Sequence, residues 1–298
     1  MESVHLKYLA VNPVDLQWGI AVNSAGFQEI APQMDYPPRN HPSRYVFTVE
    51  SGRILEEYQL LYITEGRGLF SCETLGRGKG IQVTGGTMFL LFPGEWHSYR
   101  PDSQTGWKEY WIGFNGHFVD NLVQRGFFSK DRPVFKVNIH EDIIALYDEA
   151  VRAAVKQESG FQQLLAGIVG RLLSLAYFYD RNSQFEESDA ARKVSQAKVI
   201  IHGEYQDISP EKVASRLCMS YSTFRKTFKE YTGFSPARYI SEVRMGKAKE
   251  LLTNTSMSIK EVAYHAGYNN HDYFFTAFRV RTGRTPAEYR SMTQGTKV

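Results

Sequence analysis

Cysteine is scarce. The 298 residues hold only Cys72 and Cys218, far apart and outside any Cys-x-x-Cys or Cys/His spacing that would bind a metal, so no metal and no cofactor is expected and a reducing compartment fits best. No secretory signal is expected at the start either, where Met1-Glu-Ser-Val-His-Leu has neither a basic stretch nor an apolar core. Apolar runs stay short. The longest, Leu164 to Tyr179, is interrupted by Arg171, which predicts a buried helix rather than a bilayer span. These absences point to a cytoplasmic chain with no membrane partner. What is present, 42% hydrophobic, 22% charged and 14% aromatic residues, is the composition of folded globular domains.

The length suits two domains, and the charge divides between them. Residues 1–191 carry 17 Lys+Arg against 23 Asp+Glu, a net −6, whereas residues 192–298 carry 18 against 9, a net +9. A basic domain behind an acidic one suggests a polyanion partner for the first and a different task for the second. From Gln59 to Phe114, short apolar runs such as Leu60-Leu61-Tyr62-Ile63 and Thr87-Met88-Phe89-Leu90-Leu91-Phe92 alternate with Gly66-Arg-Gly68, Gly85-Gly86 and Pro93-Gly94. Strands joined by tight turns, as in a small β-barrel or jelly roll, are predicted. Beyond His140 the spacing becomes helical, with Ile143, Leu146, Tyr147 and Ala150 on one face and Leu164, Leu165, Ile168, Leu172 and Leu175 on another. The polar stretch that follows has no apolar period and marks a linker at 181–191, between domains at 1–180 and 192–298.

The basic domain repeats itself. Phe224, Phe228, Thr232, Gly233, Pro236, Ala237 and Tyr239 recur 50 positions on as Phe274, Phe278, Thr282, Gly283, Pro286, Ala287 and Tyr289. Upstream, Ser209 and Val213-Ala214 recur 49 positions on as Ser258 and Val262-Ala263, so the turn between absorbs one residue. Each copy reads as a short helix, a turn and a second helix. Ser209 can cap the first helix with Pro210 in its first turn, and Ser258 with Glu261 forms a capping box. The second helices bury Phe224/Phe228 and Phe274/Phe278 and stop at Gly233 and Gly283, suited to a left-handed C-terminal cap.

The faces left outward differ. On the first, Ser222, Arg225, Lys226 and Lys229 form a cationic, hydrogen-bonding surface of the kind that enters a major groove, reads guanine edges and grips phosphates. On the second, His271, Asp272, Tyr273 and Thr276 point outward, with Arg279 and Arg281 nearer the end. That face is less basic and chemically more selective. The duplicated frame makes double-stranded DNA the expected partner, although any single exposed residue could be merely solvated.

These residues resemble the AraC/XylS family of bacterial transcription regulators over nearly the whole chain. The resemblance rests on Phe224 to Tyr239, on Arg244-Met-Gly-Lys-Ala248-Lys-Glu-Leu-Leu252, and on Val262 to Gly267-Tyr with Tyr273 to Arg290. It implies an α+β multidomain protein: a cupin-like β-barrel followed by two helices, then an all-α DNA-binding domain with two helix-turn-helix units joined by a long helix. Ser222, Arg225 and Lys226 would then probe one major groove, and His271, Asp272, Tyr273 and Thr276 the next. Where many family members carry a basic residue, this chain has Thr276.

In the barrel the resemblance rests on Gly66-Arg-Gly68, Gly86 to Tyr99 and Trp107 to Phe114. It looks like the sugar-sensing domain of arabinose-type regulators, and places Tyr99, Glu109 and Trp111 at the sugar pocket, with Arg53 near the position of its arginine. An indole against a sugar's C–H face, with Tyr, Glu and Arg holding hydroxyls, suits such a ligand, although Trp107 and Trp111 could equally be barrel core. His97 has no companions at metal-ligand spacing and reads as a hydrogen-bonded pocket or core histidine. The two helices after the barrel resemble the family's dimerisation helices, and their apolar faces could instead pack on the barrel.

The expected protein is a sequence-specific regulator, homodimeric and not an enzyme, that responds to a small molecule, most simply a sugar. RNA polymerase is a further candidate partner. Two alternatives stand beside it: a regulator with a vestigial pocket controlled by a protein partner, and a cupin enzyme fused to a DNA-binding domain.

Overall fold

The computed structural model describes residues 4–37, 48–183 and 189–295. The chain divides into two compact units, Met1–Gln184 and Phe185–Val298. The first contains β1 (Val4–Tyr8), α1 (Pro13–Gln17), β2 (Ala21–Ile30), β3 (Arg53–Ile54), β4 (Tyr58–Cys72), β5 (Ile81–Thr84), β6 (Thr87–Leu91), β7 (Trp96–Pro101), β8 (Trp107–Asn115), α2 (His117–Gln124), β9 (Val134–Lys136), α3 (Glu141–Lys156) and α4 (Phe161–Ser183).

The long β4 organises this unit because it serves two sheets. Its first half lies between β8 and β6 in the order β1-β2-β8-β4-β6-β9, and its second half pairs with β5 and β7, with β3 beyond β7. Its register with β8 slips between Ile63 and Glu65. Such an irregularity bends a strand and lets it pass from one sheet to the next. The run Leu60-Leu61-Tyr62-Ile63 is buried throughout because both faces are covered. Leu61, Ile63, Phe70, Phe89, Trp107 and Trp111 fill the inside. Leu60, Tyr62, Met88, Ile112 and Phe114 join a second core with Ile143, Tyr147 and Ala150 of α3 and Leu165, Ile168, Val169 and Leu172 of α4.

The apolar faces of both helices are therefore occupied by the barrel. Polar ties fix them there. The Tyr147 hydroxyl donates to the Leu60 carbonyl at 3.2 Å. The Gln162 amide accepts from the Val22 N–H and donates to the Val22 carbonyl, both at 2.9 Å. Val22 sits where the β2–β8 register shifts, so this glutamine satisfies backbone groups that the irregularity releases from the ladder. By length and composition α4 could cross a membrane, but its apolar side is the one packed on the sheet.

The second unit contains α5 (Asp189–Glu204), α6 (Pro210–Arg216), α7 (Tyr221–Thr232), α8 (Pro236–Asn254), α9 (Ile259–His265), α10 (His271–Thr282) and α11 (Pro286–Thr293). The repeat appears as two helix-turn-helix units, α6–α7 and α9–α10. Ser209 caps α6, Ser258 and Glu261 form a capping box on α9, and Gly233 and Gly283 are left-handed at the ends of α7 and α10. Thr285 and Glu288 add a second capping box, on α11. Each unit has its own core, one around Phe224 and Phe228 and the other around Phe274 and Phe278. The expected linker is helical at both ends, since α4 runs through Ser183 and α5 starts at Asp189. Residues 184–188 between them lie outside the described residues.

Candidate functional site

Strand parity assembles the interior of the barrel. Trp107, Glu109 and Trp111 alternate along β8, facing Ile30, Gln28 and Gly26 across β2 and Gly66, Ile63 and Leu61 across β4. Only glycine fits at position 26, because a Cβ there would lie within the Trp111 ring. The indole thus lies against bare backbone, and both Trp107 and Trp111 belong to the apolar interior.

A polar cluster is set into this apolar surround. The Arg53 guanidinium donates from Nε to His97 Nε2 at 3.2 Å and from Nη2 to the Tyr99 hydroxyl at 2.6 Å and Gln59 Oε1 at 3.3 Å. His97 Nδ1 lies 3.1 Å from the Glu95 carbonyl. With Nε2 accepting from arginine, Nδ1 must carry the proton and donate to that carbonyl. Burial, reinforced by the positive charge of Arg53, lowers the His97 pKa to about 3, so the ring is neutral at physiological pH. The Tyr36 hydroxyl donates to Glu109 Oε2 at 3.4 Å. Burial pushes the Glu109 carboxyl up to about 8 against the opposing pull of Arg53. Burial likewise raises Tyr99 to about 12. The buried Trp107 indole N–H lies near Glu109 but closes no hydrogen bond of ordinary geometry.

Arg53, His97 and Tyr99 are therefore brought into direct contact, Glu109 joins through the field of Arg53, and Trp111 forms an apolar wall. Sequence reading missed Tyr36, Gln59 and Gln28. The two glutamines are buried and share the parity of known interior residues, Gln59 with Leu61 on β4 and Gln28 with Gly26 on β2, so polar residues at inward positions were the signal. Tyr36 follows the end of β2 and belongs to no periodic element, so no pattern announced it. Among the described residues, no group of three or more His, Cys, Asp or Glu could hold a metal ion.

On the second unit, Ser222, Arg225, Lys226 and Lys229 are all exposed along α7, on the side away from Phe224 and Phe228. None makes an ion pair or side-chain hydrogen bond among the described residues, so this cationic face is uncommitted. On α10, Asp272, Tyr273, Thr276 and Arg279 are exposed and His271 is partly buried. Asp272 is fully exposed, with its carboxylate 3.8 Å from His271 Nδ1. Arg281 is exposed, as expected with Arg279, and also reaches α8, where it donates to the Ser241 carbonyl at 3.2 Å and lies 3.5 Å from Glu242. Its guanidinium finds acceptors in the adjacent helix.

Residues 36–192, more than half the chain, match the AraC-like ligand binding domain, and residues 213–292 match a helix-turn-helix domain. The chain is 27% identical over 244 residues to the Msm operon regulatory protein of Streptococcus mutans, covering 81% of this chain and 86% of that protein. It is 25% identical to the lactose operon transcription activator of Staphylococcus xylosus, over 80% of this chain and 85% of the relative. The RafR raffinose operon regulator of Pediococcus pentosaceus is 24% identical, over 82% and 88%. A cupin-like ligand-binding barrel followed by paired helix-turn-helix units, with the matching family model covering more than half of the chain, makes this chain a member of the AraC family of transcription regulators.

Proposed function

We propose that the barrel binds a sugar and that its occupancy changes how two protomers place their basic units on DNA, with activation of a sugar-use operon as the output. The carrying observation is the interior cluster of Arg53, His97, Tyr99 and Glu109 beside the Trp111 and Trp107 rings. Hydrogen-bonding groups of both senses converge there against apolar ring faces, as a polyhydroxylated ligand needs. The relatives named for lactose and raffinose operons agree with that ligand class.

On the duplex, Ser222, Arg225, Lys226 and Lys229 contact one major groove, with Arg225 and Lys226 hydrogen-bonding guanine edges or phosphates. His271, Asp272, Tyr273, Thr276 and Arg279 contact the next groove. Asp272 accepts from an exocyclic amine, cytosine N4 being the best match for a carboxylate. The protein acts in the cytoplasm, as a homodimer, without catalysing a reaction. The outward side of α4, which exposes Leu164 and Phe178 opposite its barrel-bound face, supplies the dimer contact, and RNA polymerase is the remaining partner.

Thermal melting against a panel of mono-, di- and trisaccharides tests the ligand. A sugar that binds only the folded state must raise the melting temperature in proportion to the logarithm of its concentration, and Arg53→Ala should abolish that rise. No response to any sugar, together with a response to a protein partner, would favour the vestigial-pocket reading.

A further inference from the structure

The two helix-turn-helix cores are separate, and the seam between them is polar. α8 contributes Ile240 to the first core and Met245, Ala248 and Leu252 to the second. Arg244 lies between these anchors. Its Nε donates to the Tyr205 carbonyl at 2.7 Å, and its Nη2 to the carbonyls of Gln206 at 2.9 Å and Ile208 at 3.5 Å, in the loop between α5 and α6. The same loop reaches the second unit. Gln206 Nε2 donates to the His265 carbonyl at 2.9 Å, and the Tyr205 hydroxyl to that carbonyl at 3.3 Å.

His265 ends α9, immediately before the turn that launches α10. In that turn Gly267 has φ +84°, and a Cβ there would meet Gln206 Cα at 2.9 Å and Arg244 Nε at 3.0 Å. Backbone of the first unit therefore rests directly on the turn of the second. Apolar packing tolerates sliding, whereas a guanidinium fork on three carbonyls fixes direction and distance. Arg281, tied to Ser241 and Glu242, holds α10 to α8 from its other end.

We infer that Arg244 is a positioning residue that fixes the spacing between α7 and α10, and thereby the number of base pairs separating the two clusters of bases the protein reads. This rests on the reading that both units bind one duplex. Two linked modules bind together with high effective concentration only where their geometry fits the target, and a rigid joint narrows the range of targets that fit. Arg244 would then govern tolerance of spacing without touching a base.

The test uses the full-length protein and a duplex selected by the wild type from a randomised pool, along with versions carrying one base pair inserted or deleted between the two read clusters. Wild type is expected to lose roughly 30-fold or more in affinity on the altered spacings, and Arg244→Ala no more than about 3-fold, with its affinity for the original duplex down about tenfold. Arg244→Lys, which retains one donor, should fall between. Gln206→Ala removes only the shorter of the two hydrogen bonds to the His265 carbonyl and should shift tolerance in the same direction by less, which keeps the inference testable if Arg244→Ala unfolds.

A folded Arg244→Ala protein as intolerant of spacing as wild type overturns the inference and leaves the DNA reading intact. A wild type indifferent to spacing also overturns it. If that wild type binds random duplex equally well, the reading beneath it falls too.

Discussion

The two helix-turn-helix units share a scaffold and differ in the face they present. α7 and α10 each run 12 residues, bury a Phe pair at i, i+4 and end on a left-handed glycine. Yet α7 exposes Arg225, Lys226 and Lys229, none with a partner among the described residues, whereas α10 exposes Asp272, Tyr273, Thr276 and Arg279 and ties Arg281 to α8. Packing and capping constrained the inward side to repeat, and the outward side was free to diverge. With both faces on DNA as proposed, the contrast would divide the work into grip, which is electrostatic and sensitive to salt, and selection, which depends on individual hydrogen bonds.

If the frames are equivalent, truncating either one should cost the same. Phe224→Ala and Phe274→Ala each remove a fully buried ring and should destabilise the basic unit by about 3–5 kcal/mol in urea denaturation. A difference beyond about 2 kcal/mol would show that the scaffolds are not energetically alike.

A perturbation inside the barrel should leave both faces unchanged while altering stability with pH. Because Glu109 titrates near 8 in the folded protein rather than near its ordinary 4.5, the native state binds the extra proton between those values. Its contribution to stability is complete below about pH 4.5 and is lost as pH rises through 8. Glu109→Gln should therefore flatten the decline in barrel stability across that window, gaining about 2–4 kcal/mol over wild type at pH 9. An unchanged pH profile would mean that the carboxyl is ionised and solvated.

The faces themselves separate by salt. Arg225→Ala should weaken specific binding by about 1–3 kcal/mol and relax preference at one position, and Lys226→Ala should weaken all sequences alike while lowering the salt slope by about one. Asp272→Asn should leave the salt slope of the complex nearly unchanged and shift preference at one base pair by about 1 kcal/mol, the smallest of these effects. A large change in salt slope for Asp272→Asn would erase the distinction between grip and selection.

The frame was legible because duplication wrote it twice: seven matched positions at one spacing, with Ser and Gly at the helix ends, specify helices, turns and inward faces without any tertiary information. Strands between Gln59 and Phe114 were legible from glycine punctuation, whereas β1, β2, β3 and β9 lie outside that stretch. In the interior cluster, the resemblance to arabinose-type sensors points to Tyr99, Glu109 and Trp111 and to Arg53 near its arginine, and His97 reads as a hydrogen-bonded pocket or core histidine, whereas Tyr36 comes from an irregular segment and is brought to Glu109 only by the fold. The Arg244 seam was hidden for a different reason. Its acceptors are main-chain carbonyls of Tyr205, Gln206 and Ile208, which every residue possesses, so side-chain identity gives no sign of them. Arg281 is exposed as its helical spacing indicates, but its tie to Ser241 and Glu242 was hidden, because helical spacing reports the side of a helix and not which neighbouring helix supplies an acceptor.

The most direct test of the divided readout is a complete base-substitution scan of the selected duplex, read by binding affinity with wild type, Arg225→Ala and Asp272→Asn. Two clusters of intolerant positions should appear about one helical turn apart, with Arg225→Ala changing only the first and Asp272→Asn only the second. A single cluster, or two variants that alter the same base pairs, would contradict it.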